Sequence, residues 1–589
     1  MLQSSSDTPS TVAGGGGDKH NASFSPKDTS AALLLQQKLI LLQRQHQLQS
    51  VSNSLSFPKP VRRVVFWTPP KQRQRWGDDD VLPHINWGDL FFDLFYVAAA
   101  YNLSYVLFND PSVKGFLYFI GTFGPILLEW FQRTSFDARF LWGDDPFHRG
   151  FELVHLCALS LAVVHIRPVS LMSNPMQPDM FQFTLGIVCL AVLNMYRSLE
   201  VVFAVDGEEA AKLGEKKWLV GFATQLAFYL AASVKSGIAH LGSKDGDNYD
   251  YGNRGLESLS NACSRILNLA PERNLAESTV EKDHVPIILC LCGWSISLAL
   301  VVIRTYFFEK KNGEHKEFNI PMNVEYIIHR FGELVMLLLG ESILSILIVE
   351  STNSVQYHVT FYAGIMSIVL LQYCHYKYQP HSPSTHAFRR SIRGGAIYYV
   401  LIIIYAHALV AVGTSYKMFL SQYAVEDNLK NKHMRHLVTT LLSRNLAGAA
   451  DQTKLSTAEM KQAVANMFCI SMAVVWICLE GMWITHNGTT KYLAYLMSKH
   501  GACLGMMRLS LIVLMGTISS YAIEPEKVTL IGLGLICAEI VIGVFMSYFW
   551  SKQFEDEDES RQGDHWPNVT EPESVPKTKE SVDEHDDMT

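Results

Sequence analysis

Charged residues are scarce in this chain: they fill 18% of its 589 positions, against about 25% in an ordinary soluble domain. Cysteine does not organise it either. Ten are present, all but Cys263 inside apolar stretches and none in a CxxC pair. That excludes a disulfide framework and a Cys-based metal centre, and leaves cysteine as a small packing residue. HExxH and GxSxG are absent, so nothing marks a metallopeptidase or a serine hydrolase. There is no basic patch interleaved with aromatics and no haem or flavin motif. Residues 1–60 lack the charged start followed by an apolar core that defines a signal peptide. The expectation is a non-enzyme with no cofactor, no metal and no nucleic-acid partner.

What is present is long apolar sequence. Twelve stretches, near 86–108, 115–134, 150–167, 180–204, 217–240, 285–308, 325–350, 357–378, 394–420, 465–486, 500–522 and 528–550, approach the roughly 20 residues needed to cross a hydrocarbon core about 30 Å thick. They predict an all-α polytopic membrane protein of about twelve transmembrane helices, with lipid as its first partner. The third stretch is short and the fifth is rich in polar residues; ten or eleven spans is the alternative count.

Composition divides the chain into three. Residues 1–83 are rich in Ser, Gly and Gln and read as a disordered region, with one Leu/Gln segment at Leu33–Leu42 suited to a membrane surface or another chain. Residues 84–550 hold the spans. Residues 551–589 form an acidic disordered tail: from Glu555 onward thirteen acids face three bases. The net charge of −7 therefore reports the tail, which offers a surface for a partner, and not the membrane region. Short loops sharing a side with the N-terminal region carry fifteen basic residues, among them Arg133, Arg149, Lys217, Arg389 and Lys499, against Lys114, Arg167 and Lys527 opposite. The positive-inside rule then places both ends in the cytoplasm. Asn487 and Asn568, which match the glycosylation pattern, would lie on the unglycosylated side.

Acids inside the apolar stretches are the main functional signal. Asp89 and Asp93 fall in the first stretch, four apart and so on one helical face. Each costs about 2.5–3.5 kcal/mol near the centre of a membrane helix, and neutralising one at pH 7 costs about 4 kcal/mol. Protonation and pairing with a cation therefore compete closely. Arg197, Arg304 and Arg508 lie at matching depth as candidate counter-ions, and Arg330 falls beside the second acidic group. There Glu333 sits near the start of the seventh stretch and Glu341 deeper, between Gly340, expected to allow close helix approach, and Ser342, expected to supply a hydrogen bond. His407 and Glu539 lie near mid-depth, and a histidine can exchange protons at physiological pH. Glu129 and Glu480 would extend a polar vestibule if their helices adjoin. Trp87-Gly88-Asp89-Leu90 aligns with Phe331-Gly332-Glu333-Leu334, which suggests two six-helix repeats in parallel.

Several of these motifs resemble the low-temperature-requirement A (LtrA) family of multi-pass membrane proteins. The shared features are Asp89-Leu90-Phe91-Phe92-Asp93-Leu94; then Trp130, Phe136-Asp137, Arg139-Phe140 and His148-Arg149; then His329-Arg330-Phe331-Gly332-Glu333 with Leu339-Gly340-Glu341-Ser342. In order they cover roughly residues 84–550. The chain departs from the pattern in its long outer loops, its tails and the helices after the ninth stretch. The resemblance implies an integral membrane protein and little settled biochemistry. The acids themselves point to a transporter or channel for an ion or small solute, proton-coupled through intramembrane carboxylates. The alternative is a non-catalytic membrane scaffold or sensor that uses its tails.

Overall fold

The computed structural model describes residues 66–73, 87–142, 145–204, 209–244, 283–307, 322–380, 385–430, 457–520 and 524–564. Among them run fifteen α-helices: α1 (Trp87–Asn109), α2 (Val113–Asp137), α3 (Pro146–Val164), α4 (Val169–Met172), α5 (Asp179–Ala204), α6 (Glu209–Lys244), α7 (Val285–Phe307), α8 (Val324–Leu347), α9 (Val355–Tyr378), α10 (Ala387–Arg390), α11 (Ile392–Lys430), α12 (Thr457–Asn487), α13 (Thr489–Met497), α14 (Lys499–Thr517) and α15 (Pro525–Asp564). Every predicted stretch coincides with a helix. Eight helices are long and apolar enough to cross a membrane: α1, α3, α5, α7, α11, α12, α14 and α15. The short third stretch is among them. The polar-rich fifth, α6, is not, and neither are α2, α8 and α9, whose composition is diluted by charged and polar residues turned into the bundle. Phe91, Leu153, Ile477 and Phe545 face outward, whereas Asp93, Glu129, Arg197 and Glu341 are buried. This is the polarity of an all-α polytopic membrane protein, in which intramembrane charge is kept away from lipid.

Packing follows the chain order within each half. In the first half α1 packs on α2 and α3, α2 on α5 and α7, α5 on α3, α6 and α7, and α6 on α7. In the second, α8 packs on α9 and α11, α9 on α12 and α15, α12 on α11, α14 and α15, and α14 on α15. The halves meet where α8 and α11 pack on α1 and α2, and where α11 packs on α7.

Two boundaries differ from the sequence reading. Within residues 1–83, Phe66–Arg73 lies against the bundle, and its strand β1 (Lys71–Gln72) pairs antiparallel with β2 (Phe140–Leu141), Lys71 opposite Leu141 and Gln72 opposite Phe140. At the other end α15 continues to Asp564, so the first part of the acidic tail is helical; hydropathy marks where a helix leaves the membrane, not where it stops. The Leu33–Leu42 segment, Asn568 and most of the two long loops lie outside the described residues. Asn487 is the last residue of α12 and its side chain bonds the Trp483 carbonyl.

Close helix approach depends on a glycine other than the expected one. Gly340 is exposed, and a Cβ there would meet nothing within 4 Å. On the facing helix, a Cβ at Gly413 would lie 2.3 Å from Ser342 Oγ and 2.9 Å from Ser342 Cα. Gly413→Ala must therefore push α11 off α8, and we expect a loss of about 1–3 kcal/mol in detergent unfolding. Gly340→Ala should be neutral; equal effects would contradict this packing.

Candidate functional site

At one end of the first half the starts of α1, α3 and α8 meet the ends of α2 and α5. Between them opens a cleft of ≈ 140 Å³, enough for several waters or a small polar solute. Charges of both signs line it: Arg73, Arg133, Arg149 and Arg197, with Asp89, Asp137 and Glu152. Two of them, Arg133 and Asp137, lie on one stripe of α2 with the buried Glu129, because the three are spaced by four. That pattern is legible in the sequence, although Arg133, at the end of an apolar stretch, reads as a loop charge.

Asp93 sits at the inner edge of this region, 0% exposed. Arg330 grips it with a two-pronged fork, Nη1 donating to Oδ2 at 2.9 Å and Nη2 to Oδ1 at 2.8 Å. Trp130 Nε1 donates to Oδ1 at 2.9 Å. The same Arg330 Nη1 donates to Glu333 at 2.7 Å. Charge-assisted bidentate pairs are the strong ones, so Asp93 is held as a carboxylate by α8 and α2. The counter-ion of Asp93 is thus Arg330. Arg197 and Arg508 pair elsewhere, and the Arg304 side chain lies outside the described residues. Asp89 faces the same neighbours more loosely: Tyr326 donates to it at 3.3 Å and Arg133 stands 3.9 Å away.

Beyond the cleft a buried polar chain enters the first half. Arg197 Nη2 lies 3.0 Å from His155 Nδ1. Arginine can only donate, so Nδ1 accepts and the Nε2 proton faces Glu129, 3.0 Å away. Asn194 links Glu129 to Gln132, and Gln132 continues to Gln225 and Tyr229. Sequence reading named Glu129 but not His155, which resembles any histidine in an apolar helix until its neighbours are known.

The second half holds a separate network. Arg508 donates to Glu539 at 2.5 Å and to Tyr378, and pairs with Glu480, which also accepts from Tyr492 at 2.9 Å. Glu129 and Glu480 therefore anchor different clusters and do not share a vestibule; their helices fall in opposite halves of the bundle.

The deeper predicted residues are dispersed. Glu341 is 4% exposed and takes one bond, from Ser345 Oγ at 2.9 Å; its Oε2 is buried with no partner among the described residues. Ser342 bonds the Leu338 carbonyl instead. Lys417 on α11 is the cation acting on Glu341, with its ammonium over the rings of Tyr101 and Phe108. His407 does not join the acids: it packs among Phe119, Phe123 and Trp294, with Nδ1 on the Ile403 carbonyl at 2.8 Å.

A clasp ties the N-terminal strap over the cleft. His148, which the sequence marks only through the family motif His148-Arg149, touches Asp145 with Nδ1 at 2.7 Å and Glu200 with Nε2 at 2.9 Å. Thr68 donates to the same Asp145 carboxylate through its amide (3.0 Å) and its hydroxyl (2.5 Å), and Trp67 Nε1 donates to Glu200 at 2.7 Å. Burial raises the Asp145 carboxyl, but the bonds from Thr68 and His148 outweigh it and lower it to about 2. A depressed carboxylate contributes stability that is full above its ordinary value near 4 and is lost as pH falls through its folded value. The Thr68 amide should accordingly stay protected from hydrogen exchange above about pH 4 and lose protection toward about pH 2. Asp145→Ala should remove that protection at every pH, and an unprotected wild-type amide at neutral pH would refute the clasp.

Among the described residues no group of three or more His, Cys, Asp or Glu is placed to hold a metal ion. No family model, curated protein or solved structure matches the chain.

Proposed function

We propose that this protein is a membrane transporter or channel for an ion or small solute, reached from the cytoplasm through the charged cleft, with intramembrane carboxylates coupling a proton to its movement. The observation that carries this reading is the contrast between its buried acids. Asp93 is held by three donors, whereas Glu341, away from any fork, keeps an oxygen without a partner among the described residues, as do Glu200 and Glu539 within their clusters. A buried carboxylate with an unused oxygen is suited to take up and release a proton or cation; one locked in a fork is suited to holding helices together.

Twelve spans with both ends cytoplasmic fit this reading. The apolar span α1 starts at the cleft, and so does α3, so α2 must return the chain between them. Likewise α5 ends at the cleft while α7 starts opposite, where His284 meets Tyr118, so α6 must cross. A duplication of six plus six helices is supported by the matching helix pairs of the two halves, an arrangement in which transport sites fall at the repeat interface. Kinship with the LtrA family rests on the sequence motifs, of which Asp93, Trp130 and Arg330 meet in one cluster. The scaffold or sensor reading is favoured by the Arg330 and Arg508 ion-pair networks, which tie helices of the bundle together.

Flux in proteoliposomes holding the purified full chain, with and without a pH gradient, tests the proposal. Gradient-dependent flux is expected. A well-folded protein that moves no proton, cation or small solute under any gradient would favour the scaffold.

A further inference from the structure

We propose that the cleft binds a small zwitterion, a solute carrying one carboxylate and one ammonium within a few ångströms of each other, of which a free α-amino acid is the simplest kind. The inference deepens the transport reading by naming the class of solute, and it rests on the cleft being the way in.

Arg133 is the centre of the cleft's charge. It is 8% exposed, and its guanidinium is ringed by Asp137 at 3.5 Å, Asp89 at 3.9 Å and Glu152 at 3.9 Å. Direct charge-assisted hydrogen bonds are about 2.7–2.9 Å long, so each of these contacts leaves a gap. Nη1 is buried with no partner among the described residues. Elsewhere the protein satisfies a buried guanidinium differently: Arg330 forks onto Asp93 at 2.8 and 2.9 Å, and Arg508 bonds Glu539 at 2.5 Å. Arg197 Nε and Arg330 Nε are likewise without a partner among the described residues, but at Arg133 three acids stand at 3.5–3.9 Å and border a cleft with room for a solute.

The lining decides the sign of that solute. A bare anion approaching Arg133 meets Asp89, Asp137 and Glu152; a bare cation seeking those acids meets Arg73, Arg133 and Arg197. A molecule bearing both charges offers its carboxylate to the guanidinium groups that line the cleft and its ammonium to the acids, so each of its poles finds an opposite charge. The Arg133 guanidinium lies 3.6 Å over the buried Phe92 ring, which fixes its orientation. Arg73, 4.3 Å over Tyr326, adds a second cation from the strap.

Equilibrium dialysis of the full chain in nanodiscs against radiolabelled glycine tests this, with acetate and methylammonium as single-charge competitors. Saturable glycine binding is expected, displaced by unlabelled glycine but not by either competitor at tenfold excess. Asp137→Asn should weaken it about tenfold, as the loss of one charge-assisted contact predicts. The absence of saturable binding would overturn the inference. So would displacement by acetate or by methylammonium as effective as glycine's own, which would make the cleft an anion or a cation site. The competition uses wild-type protein and stands even if the variant fails to fold. Because dialysis reads binding without flux, glycine binding in a protein that moves no solute would overturn the transport reading alone.

Discussion

Replacing Arg330 with Met will destabilise the protein by about 3–5 kcal/mol, the cost of stranding a buried charge. Asp93 is inaccessible to solvent and draws two of its three hydrogen bonds from that guanidinium. Trp130 alone cannot compensate, since one indole donor serves a group with about four lone-pair sites. The effect should come from the orphaned carboxylate and not from lost packing. The double variant Asp93→Leu with Arg330→Met tests that distinction, because replacing a whole buried ion pair by apolar groups is often neutral. Chemical unfolding in detergent should show the single variant strongly destabilised and the double variant recovering most of the loss. A single variant as stable as wild type would mean that the fork does not hold α8 against α1.

Glu341→Gln will abolish pH-gradient-driven flux, by about tenfold or more, while changing stability by less than about 1 kcal/mol. The substitution keeps size and shape, and the amide oxygen still accepts from Ser345, the one bond that Glu341 makes among the described residues. It removes the ability to change charge. Flux in proteoliposomes, read beside a melting curve, separates the outcomes. Undiminished flux in Glu341→Gln would exclude this carboxylate from coupling, and a folding defect would move Glu341 into the same structural class as Asp93. Asp93→Asn serves as the contrast, since its expected defect is in stability first.

The sequence placed every long helix because hydropathy is a local property, and a stretch of about 20 apolar residues is helical in lipid whatever its neighbours. It likewise singled out Asp89, Asp93, Glu333 and Glu341, because a charge inside such a stretch is conspicuous. Arg133 and Asp137, four apart at the end of α2, are equally legible, yet charge at the end of an apolar stretch passes for a loop. His155 carried no such mark.

Pairing was decided by the tertiary structure alone. Asp93 and Arg330 are 237 positions apart, and at equal depth the sequence offers Arg197, Arg304 and Arg508 as readily. Which cation an acid meets depends on which helices adjoin and how each is rotated, and small differences in packing set both. The same holds for the glycine at the α8–α11 contact, which proved to be Gly413, and for the unused oxygen of Glu341. The sequence by itself determined that the chain is a bundle of membrane helices with charge inside. Only the fold decided which charges are spent holding helices together and which remain free to act, because a hydrogen bond is a property of two places brought together and not of either one.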